Sequence, residues 1–203
     1  MSLKEMKMNF IIEKALSLFL EKSISSITIK DIANSIDVGE ATIYRYFDNK
    51  DNIMNLCASM LEKEVYEKYF ISKSNQNGYE MISDFYNNYL IIFKNHPEYF
   101  KFINEYDAYL LSKMIKPSTE YEDLINKFHS IFIERYNKGI EDKSITPIDD
   151  IDTFYFTTSK ALLELCKKES VGFNIVSTDG FNNSEKIIKR LIDISLKELK
   201  GDA

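Results

Sequence analysis

The sequence predicts an all-α protein. Along most of the chain, apolar residues recur three and four positions apart, which is the spacing of one face of a helix. Only three prolines and six glycines occur in 203 residues, and most of them separate the periodic segments. Beyond residue 50 the chain has no segment with the strict apolar–polar alternation of a half-buried strand. Helices are therefore expected from one end to the other.

Residues 8–22 predict the first helix. Charged residues occupy one face of it, and the opposite face carries Ile11, Ile12, Ala15, Leu18 and Phe19. A short helical pair follows that cannot bury its own apolar side alone. This helix is therefore expected to pack behind that pair and close a small three-helix core.

The segment from Thr28 to Lys50 predicts a short helix, a tight turn and a second short helix. Thr28 is a favourable N-cap residue, and the apolar residues behind it recur at helical spacing. Asp37 falls at the turn, because Asp tolerates left-handed backbone better than most residues other than glycine. The second helix is expected over about Glu40 to Phe47. A helix-turn-helix of this kind places its second helix in the DNA major groove.

The second helix of the pair carries polar groups of the kinds that contact DNA. Thr42, Arg45 and Tyr46, with Lys50 just beyond, offer hydroxyl, guanidinium and ammonium groups. Such groups bind phosphates and the edges of bases. Taken alone, the aromatic run from Tyr44 to Phe47 is also compatible with a packing cluster, and Arg45 with a solvated surface arginine.

These residues closely resemble the N-terminal domain of TetR-family transcriptional regulators. The family pattern is I-x-x-A-L-x-L-F, then T-V-x-x-I-A, then G-V-S-x-G-T-L-Y-x-Y-F-x-S-K-E-x-L. The chain contains IIEKALSLF, TIKDIA and VGEATIYRYFDNKDNI in the same order and at the same spacing. The resemblance covers roughly the first quarter of the chain.

The resemblance implies a set of DNA-binding residues, namely Thr28, Lys30, Thr42, Tyr44, Arg45, Tyr46 and Lys50. Tyr44 resembles a tyrosine whose hydroxyl meets a phosphate, and Lys50 resembles the lysine that opens the next helix and meets the DNA backbone. Arg45 is the candidate base reader because of its place in the recognition helix. Lys30 is either a phosphate contact or a solvated charge.

Three residues depart from the family pattern at the joints of this unit. Ser23 and Asp37 stand where glycines are usual, and Gly39 replaces the usual capping serine. If Ser23 were left-handed, the strain would cost on the order of 1 kcal/mol. Gly39 in place of serine is expected to lose only about a few tenths of a kcal/mol. The angle of the recognition helix is the property that these substitutions affect.

The predicted division is a DNA-binding domain over residues 1–50 and a larger helical ligand-binding and dimerisation domain over residues 51–203. Helices are expected in the second domain over residues 51–72, 79–95, 97–115, from about 121 to Gly139, from Asp149 or Asp150 to 168, and 184–199. A loop containing Gly172 and Gly180 precedes the last of them.

The last two predicted helices suggest a homodimer. One carries the stripe Ile151, Phe154, Tyr155, Thr158, Ala161, Leu162 and Leu165, and the other carries Ile187, Ile188, Leu191, Ile192, Leu196 and Leu199. The second stripe is wider than one neighbouring helix needs, and surplus apolar surface is typical of an interface. TetR-like proteins pair these helices as a four-helix bundle and read a palindrome. The alternative is that both stripes are intramolecular core.

Most aromatic residues lie after residue 57, where core filling is their default role in a chain without Trp. The family resemblance implies a cavity for a small apolar or aromatic effector, with candidate wall residues Tyr86, Tyr89, Phe93, Phe102, Tyr106, Met114, Phe128 and Phe132. Binding there is expected to lower affinity for the operator. A TetR-like DNA-binding scaffold without an effector is the alternative.

Composition narrows the other classes of function. The chain has no apolar run that would span a membrane, and Glu13 and Lys14 interrupt its N-terminal apolar stretch, so a cytoplasmic protein is expected. No nucleophile–base pair, metal-ligand spacing or glycine-rich phosphate loop indicates an enzyme, a metal or a cofactor. The net charge of −6 does not exclude DNA binding, because residues up to Lys50 carry seven basic and seven acidic side chains.

Overall fold

The computed structural model describes residues 2–71, 75–172 and 183–200, which form nine α-helices and no β-strand. The helices are α1 Leu3–Glu21, α2 Ile29–Ser35, α3 Glu40–Tyr44, α4 Lys50–Val65, α5 Gly78–Asn95, α6 Pro97–Lys113, α7 Thr119–Glu141, α8 Ile151–Val171 and α9 Ser184–Lys200. A 3₁₀ turn, Ile24–Ser26, joins α1 to α2, and a π-helical turn, Tyr66–Phe70, extends α4. The all-α prediction is confirmed.

Most predicted helices lie where the sequence placed them, and the differences have local causes. The first helix starts earlier because Ser2 and Glu5 form a reciprocal cap at its N-terminus. The helix predicted over residues 51–72 widens into the π turn at Tyr66, and residue 72 lies outside the described ranges. Asp150 caps α8 as predicted, and Gly172 ends it in left-handed backbone. Gly180 also lies outside those ranges.

The chain folds as two compact units. The first contains the residues up to Val65 together with Lys101–Leu124, and the second contains Tyr66–Phe100 together with the residues from Ile125 onward. These units differ from the division expected at residue 50, because α4 packs against α1 and the C-terminal part of α6 joins the same unit. The functional division of the chain stays a prediction.

The first unit has a continuous apolar core. Helix α1 contributes Ile11, Ile12, Ala15, Leu16 and Phe19, and Leu18, predicted on this face, is only half-buried. The remaining buried side chains come from α2, α3, α4 and α6, and include Ile32, Ala33, Ile43, Phe47, Ile53, Met54, Cys57, Ala58, Phe102, Ile103 and Tyr106. Burial of apolar surface on this scale is the main source of stability for the helix-turn-helix.

Aromatic rings and one buried cation organise the second unit. Phe85 lies edge-on against Phe70 and Phe132, with ring centroids 5.1 and 5.4 Å apart. The guanidinium of Arg135 donates to the carbonyl oxygens of Phe70 and Met81, while the Asn88 amide donates to the carbonyl of Tyr69. These side chains satisfy carbonyls at the end of the π turn, where the backbone hydrogen-bond ladder stops.

Helices α5 and α7 approach closely at a pair of glycines. A Cβ atom built on Gly78 would lie 2.1 Å from the backbone nitrogen of Gly139, which is too close for any side chain. Gly139 therefore lies inside α7 as a packing residue, although its predicted role was to end the helix. The Gly78 amide also donates to Asp142, and this bond, after one from Ser144, keeps the pKa of the Asp142 carboxyl below its usual value.

We predict that Gly78→Ala destabilises the protein by about 1 to 3 kcal/mol, because the added methyl group overpacks backbone that cannot move aside. Chemical denaturation monitored by circular dichroism measures the change. Gly39→Ala is the matched control, since nothing lies within 4 Å of its Cβ position. Its loss is expected to stay under about 1 kcal/mol, because it changes only an N-cap residue. Equal stability of Gly78→Ala and the wild type would contradict the close approach.

Candidate nucleic-acid interface

Helix α2 begins with a complete capping box. The Thr28 hydroxyl accepts from the Asp31 amide at 3.2 Å, and the Asp31 carboxylate accepts from the Thr28 amide at 2.8 Å and from its hydroxyl at 2.6 Å. These bonds from Thr28, the hydroxyl first, lower the pKa of Asp31. The predicted N-cap is confirmed. Thr28 is exposed and bonded to its own helix, so any DNA contact adds to its capping role.

The turn between α2 and α3 is closed by left-handed backbone at Asp37, whose φ is 54°. Its amide donates to the Asn34 carbonyl, and the Val38 amide donates to the Ala33 carbonyl, which is the pattern of a Schellman motif. The expected conformation of Asp37 is thus confirmed. Ser23, by contrast, has a φ of −56°, so the strain considered for it does not arise.

Helix α3 is short, and its orientation depends on two buried side chains. It starts after Gly39, which provides no side-chain cap, and ends at Tyr44 rather than at the predicted Phe47. Backbone bonds from Arg45 to Ala41 and from Phe47 to Ile43 continue the turn. Ile43 and Phe47 are buried in the first unit. Their spacing of four residues fixes which side of α3 faces the solvent.

The outward side of α3 carries the predicted DNA-binding groups. Tyr44 is 53% exposed and Arg45 is exposed, while Thr42 and Tyr46 are half-buried. The Arg45 guanidinium lies 5.2 Å from the centre of the Tyr46 ring, a cation–π distance. On α2, Lys30 is exposed. Four of the seven predicted residues therefore lie on or immediately beside one short helix.

Lys50 has a different environment from the one expected of a DNA contact. Its ammonium donates to the carbonyl of Ile24 and lies 5.9 and 5.6 Å from the ring centres of Phe19 and Tyr109. Burial lowers the pKa of this lysine. The side chain is directed into the first unit, so its observed role is structural, and the phosphate contact predicted for it is not supported.

The aromatic residues predicted to wall an effector cavity do not form one group. Phe102 and Tyr106 are buried in the first unit, whereas Tyr86, Phe128 and Phe132 are buried in the second, where Tyr89 and Phe93 are half-buried. Met114 is 93% exposed and follows the last turn of α6, so its prediction as a cavity wall was wrong. Its side chain projects past a helix C-terminus, a position that apolar character alone did not reveal.

A pocket of about 300 Å³ in the second unit is lined by residues outside the predicted set, namely Lys68, Tyr69, Ile71, Gln76, Met81, Asp84, Asn88, Ile91 and Arg135. Several are charged or amide side chains that resemble ordinary surface residues in the sequence. The π turn, which contributes Lys68 and Tyr69, gives no distinct signal in the sequence. Sequence patterns therefore did not identify this pocket.

The described residues offer little for other chemistry. Among them, no group of three His, Cys, Asp or Glu side chains is arranged to hold a metal ion. Cys57 and Cys166 are both buried, and burial raises the pKa of Cys166 to about 12, which disfavours the thiolate. Within residues 2–71, 75–172 and 183–200, no helix is long and apolar enough to cross a membrane.

Comparisons with known proteins agree with the geometry of this interface. Residues 11–57 match the sequence profile of bacterial regulatory proteins of the tetR family. No curated protein matches the chain. A tetR-family regulatory protein from Rhodococcus RHA1 has a similar structure, with 14% identity, a TM-score of 0.66 and 100% coverage of both chains.

Two further solved structures share the fold. The ketosteroid transcriptional regulator KstR2 of Mycobacterium tuberculosis is 16% identical with a TM-score of 0.61, covering 97% of this chain and 96% of its own. The superantigen PfiT is 14% identical with a TM-score of 0.64, covering 96% and 97%. At these identities the likeness concerns the fold. The match over the helix-turn-helix supplies the family, and the chain belongs to the TetR family of bacterial regulatory proteins.

Proposed function

We propose that this protein is a transcriptional repressor that binds a palindromic operator as a homodimer and is released by a small apolar or aromatic molecule. The observation that carries the proposal is the outward face of α3, where Tyr44 and Arg45 are exposed while Ile43 and Phe47 anchor the opposite side. The fold alone is insufficient support, since a protein described as a superantigen shares it.

Arg45 is the residue proposed to read sequence. A guanidinium binds the O6 and N7 atoms of guanine in a bidentate manner, and each good pair of this kind contributes about 1 to 3 kcal/mol of discrimination. Tyr44, Thr42 and Lys30 are proposed to bind phosphates and set the register of α3 in the groove. Contact between the Arg45 guanidinium and the Tyr46 ring limits the conformations of the arginine before DNA binds.

The dimer is proposed to form through α8 and α9. Within one chain α9 buries Ile188, Ile192, Leu196 and Leu199, so these residues are intramolecular core rather than surplus surface. The apolar side chains left exposed or half-buried on the two helices are Ala161, Leu165, Ile187, Leu191 and Ile194. On α9, Ile187, Leu191 and Ile194 follow the spacing of one helix face, and such a face suits a two-fold helical bundle.

The effector is proposed to bind in the second unit, which contains most of the buried rings. The pocket of about 300 Å³ reaches the lower end of the size range of small-molecule sites. A molecule that binds preferentially to the conformation with weak operator affinity shifts the population towards release. A compound that saturates the dimer and leaves its operator affinity unchanged would contradict this part of the proposal.

A DNA-binding scaffold without an effector remains the second candidate. It is favoured by the dense ring-on-ring packing around Phe85, which fills the volume that a ligand would occupy there. It shares the DNA-reading helix with the repressor but requires no preferred palindrome.

Selection of bound duplexes from a random DNA pool tests the proposed function. We expect a palindromic consensus for the wild type, because a two-fold dimer presents two copies of α3 to the duplex. For Arg45→Ala, the consensus is expected to relax at one or two positions per half-site, with an affinity loss of about 1 to 3 kcal/mol for the wild-type site. Lys14→Ala, which removes an exposed cation from α1, serves as the matched control and should retain the consensus.

The outcome of the selection separates the candidates. A consensus unchanged by Arg45→Ala would contradict the role of this arginine. Binding without any enriched sequence would favour the scaffold over the repressor.

We also predict that Ile194→Glu converts the dimer to monomers. Ile194 is 55% exposed, so the substitution leaves the core of one chain intact while placing a charge in the proposed interface. Sedimentation velocity should show the dimer dissociating at concentrations at least about tenfold higher than for the wild type. The control is Leu111→Glu, which changes an exposed leucine outside α8 and α9. Equal dissociation of both variants would argue against this interface.

A further inference from the structure

Ile24 is bound on both sides of its backbone by charged side chains from distant parts of the sequence. Its amide donates to a carboxylate oxygen of Glu105 on α6 at 2.6 Å, and its carbonyl accepts from the ammonium of Lys50 on α4. The neighbouring Ser23 hydroxyl donates to the same Glu105 oxygen at 3.0 Å. These four residues all belong to the first unit.

The position of Ile24 gives these bonds their importance. It opens the 3₁₀ turn that joins α1 to the helix-turn-helix, and it is only 1% exposed. Solvent water cannot readily replace a lost partner at such a site, and an unsatisfied buried amide is costly. A carboxylate acceptor makes the bond stronger than a neutral one. The start of the helix-turn-helix is therefore fixed to α6 by Glu105.

A second contact from the same face of α6 supports this arrangement. Tyr109, one turn after Glu105, donates its hydroxyl to Asp51, and its ring lies beneath the Lys50 ammonium. Burial, followed by the hydrogen bond to Asp51, raises the pKa of Tyr109 to about 12, so the hydroxyl remains a donor at neutral pH. Glu105 and Tyr109 together hold both the turn at Ile24 and the beginning of α4.

We propose that Glu105 is a positioning residue for operator binding, acting through the Ile24 amide on the orientation of α2 and α3. The inference rests on the proposed function, in which α3 reads DNA. Glu105 is an acid in a unit that binds a polyanion, so simple electrostatics predicts that its removal tightens binding. A positioning role predicts the opposite sign. The direction of the change therefore distinguishes the two explanations.

The test compares Glu105→Ala, Glu105→Gln and the wild type on the selected palindromic duplex and on a random duplex. Glu105→Ala is expected to weaken specific binding about tenfold, since the turn loses a charge-assisted hydrogen bond. Its binding to random DNA should change far less, because phosphate contacts do not require the exact groove geometry. Glu105→Gln keeps an oxygen acceptor for the amide and should recover most of the specific affinity.

Glu13→Ala is the charge control, because Glu13 is exposed on α1 in the same unit. It should bind the palindrome as tightly as the wild type or more tightly. Specific binding by Glu105→Ala that equals or exceeds the wild type would overturn the proposal, as would equal losses on palindromic and random DNA. Thermal unfolding confirms that each variant is folded at the assay temperature.

Amide spectra of the DNA-free protein keep the inference separate from the proposed function. In Glu105→Ala, nuclear magnetic resonance should show faster exchange of the Ile24 amide and shifted amide signals in α2 and α3, with Glu13→Ala unchanged at these sites. If the wild type selects no DNA, the proposed function fails, and the spectra alone decide whether Glu105 orients the two helices. Unaltered α2 and α3 signals would refute the positioning role.

Discussion

The orientation of a five-residue helix is the constraint on which this structure depends. Helices as short as α3 are not stable alone, so their direction must come from tertiary packing. Ile43 and Phe47 anchor α3 to a core built from α1, α4 and α6, and Asp37 sets its angle to α2. The same packing leaves Tyr44 and Arg45 on the outside. Stability and DNA recognition thus rely on the same side chains of one small element.

Local signals explain why much of this unit could be predicted from sequence. Thr28 followed by Asp31 specifies a cap, and Asp37 specifies a left-handed turn, because both depend on residues only a few positions apart. The apolar periodicity located the later helices for the same reason. Gly139 was misinterpreted because a glycine that permits close helix packing and a glycine that ends a helix give the same sequence signal.

Other features could not be predicted because they depend on contacts between distant residues. The bond between Glu105 and Ile24 joins positions 81 residues apart, and nothing near either residue indicates the pairing. Lys50 matched a family pattern, yet its ammonium is held by the Ile24 carbonyl and two aromatic rings. Met114 looked like a cavity wall by composition, but it lies beyond the end of α6. The sequence identified the DNA-reading helix better than the residues that hold it.

The account's central claim is that two copies of α3 read one duplex from the same side. Hydroxyl-radical footprinting of the selected DNA tests this claim most directly. It should show two protected patches on one face of the duplex, related by two-fold symmetry and separated by about one helical turn of 10 base pairs or a multiple of it. Arg45→Ala should weaken both patches together. A single patch, or uniform protection along the duplex, would contradict a symmetric dimer that reads DNA through α3.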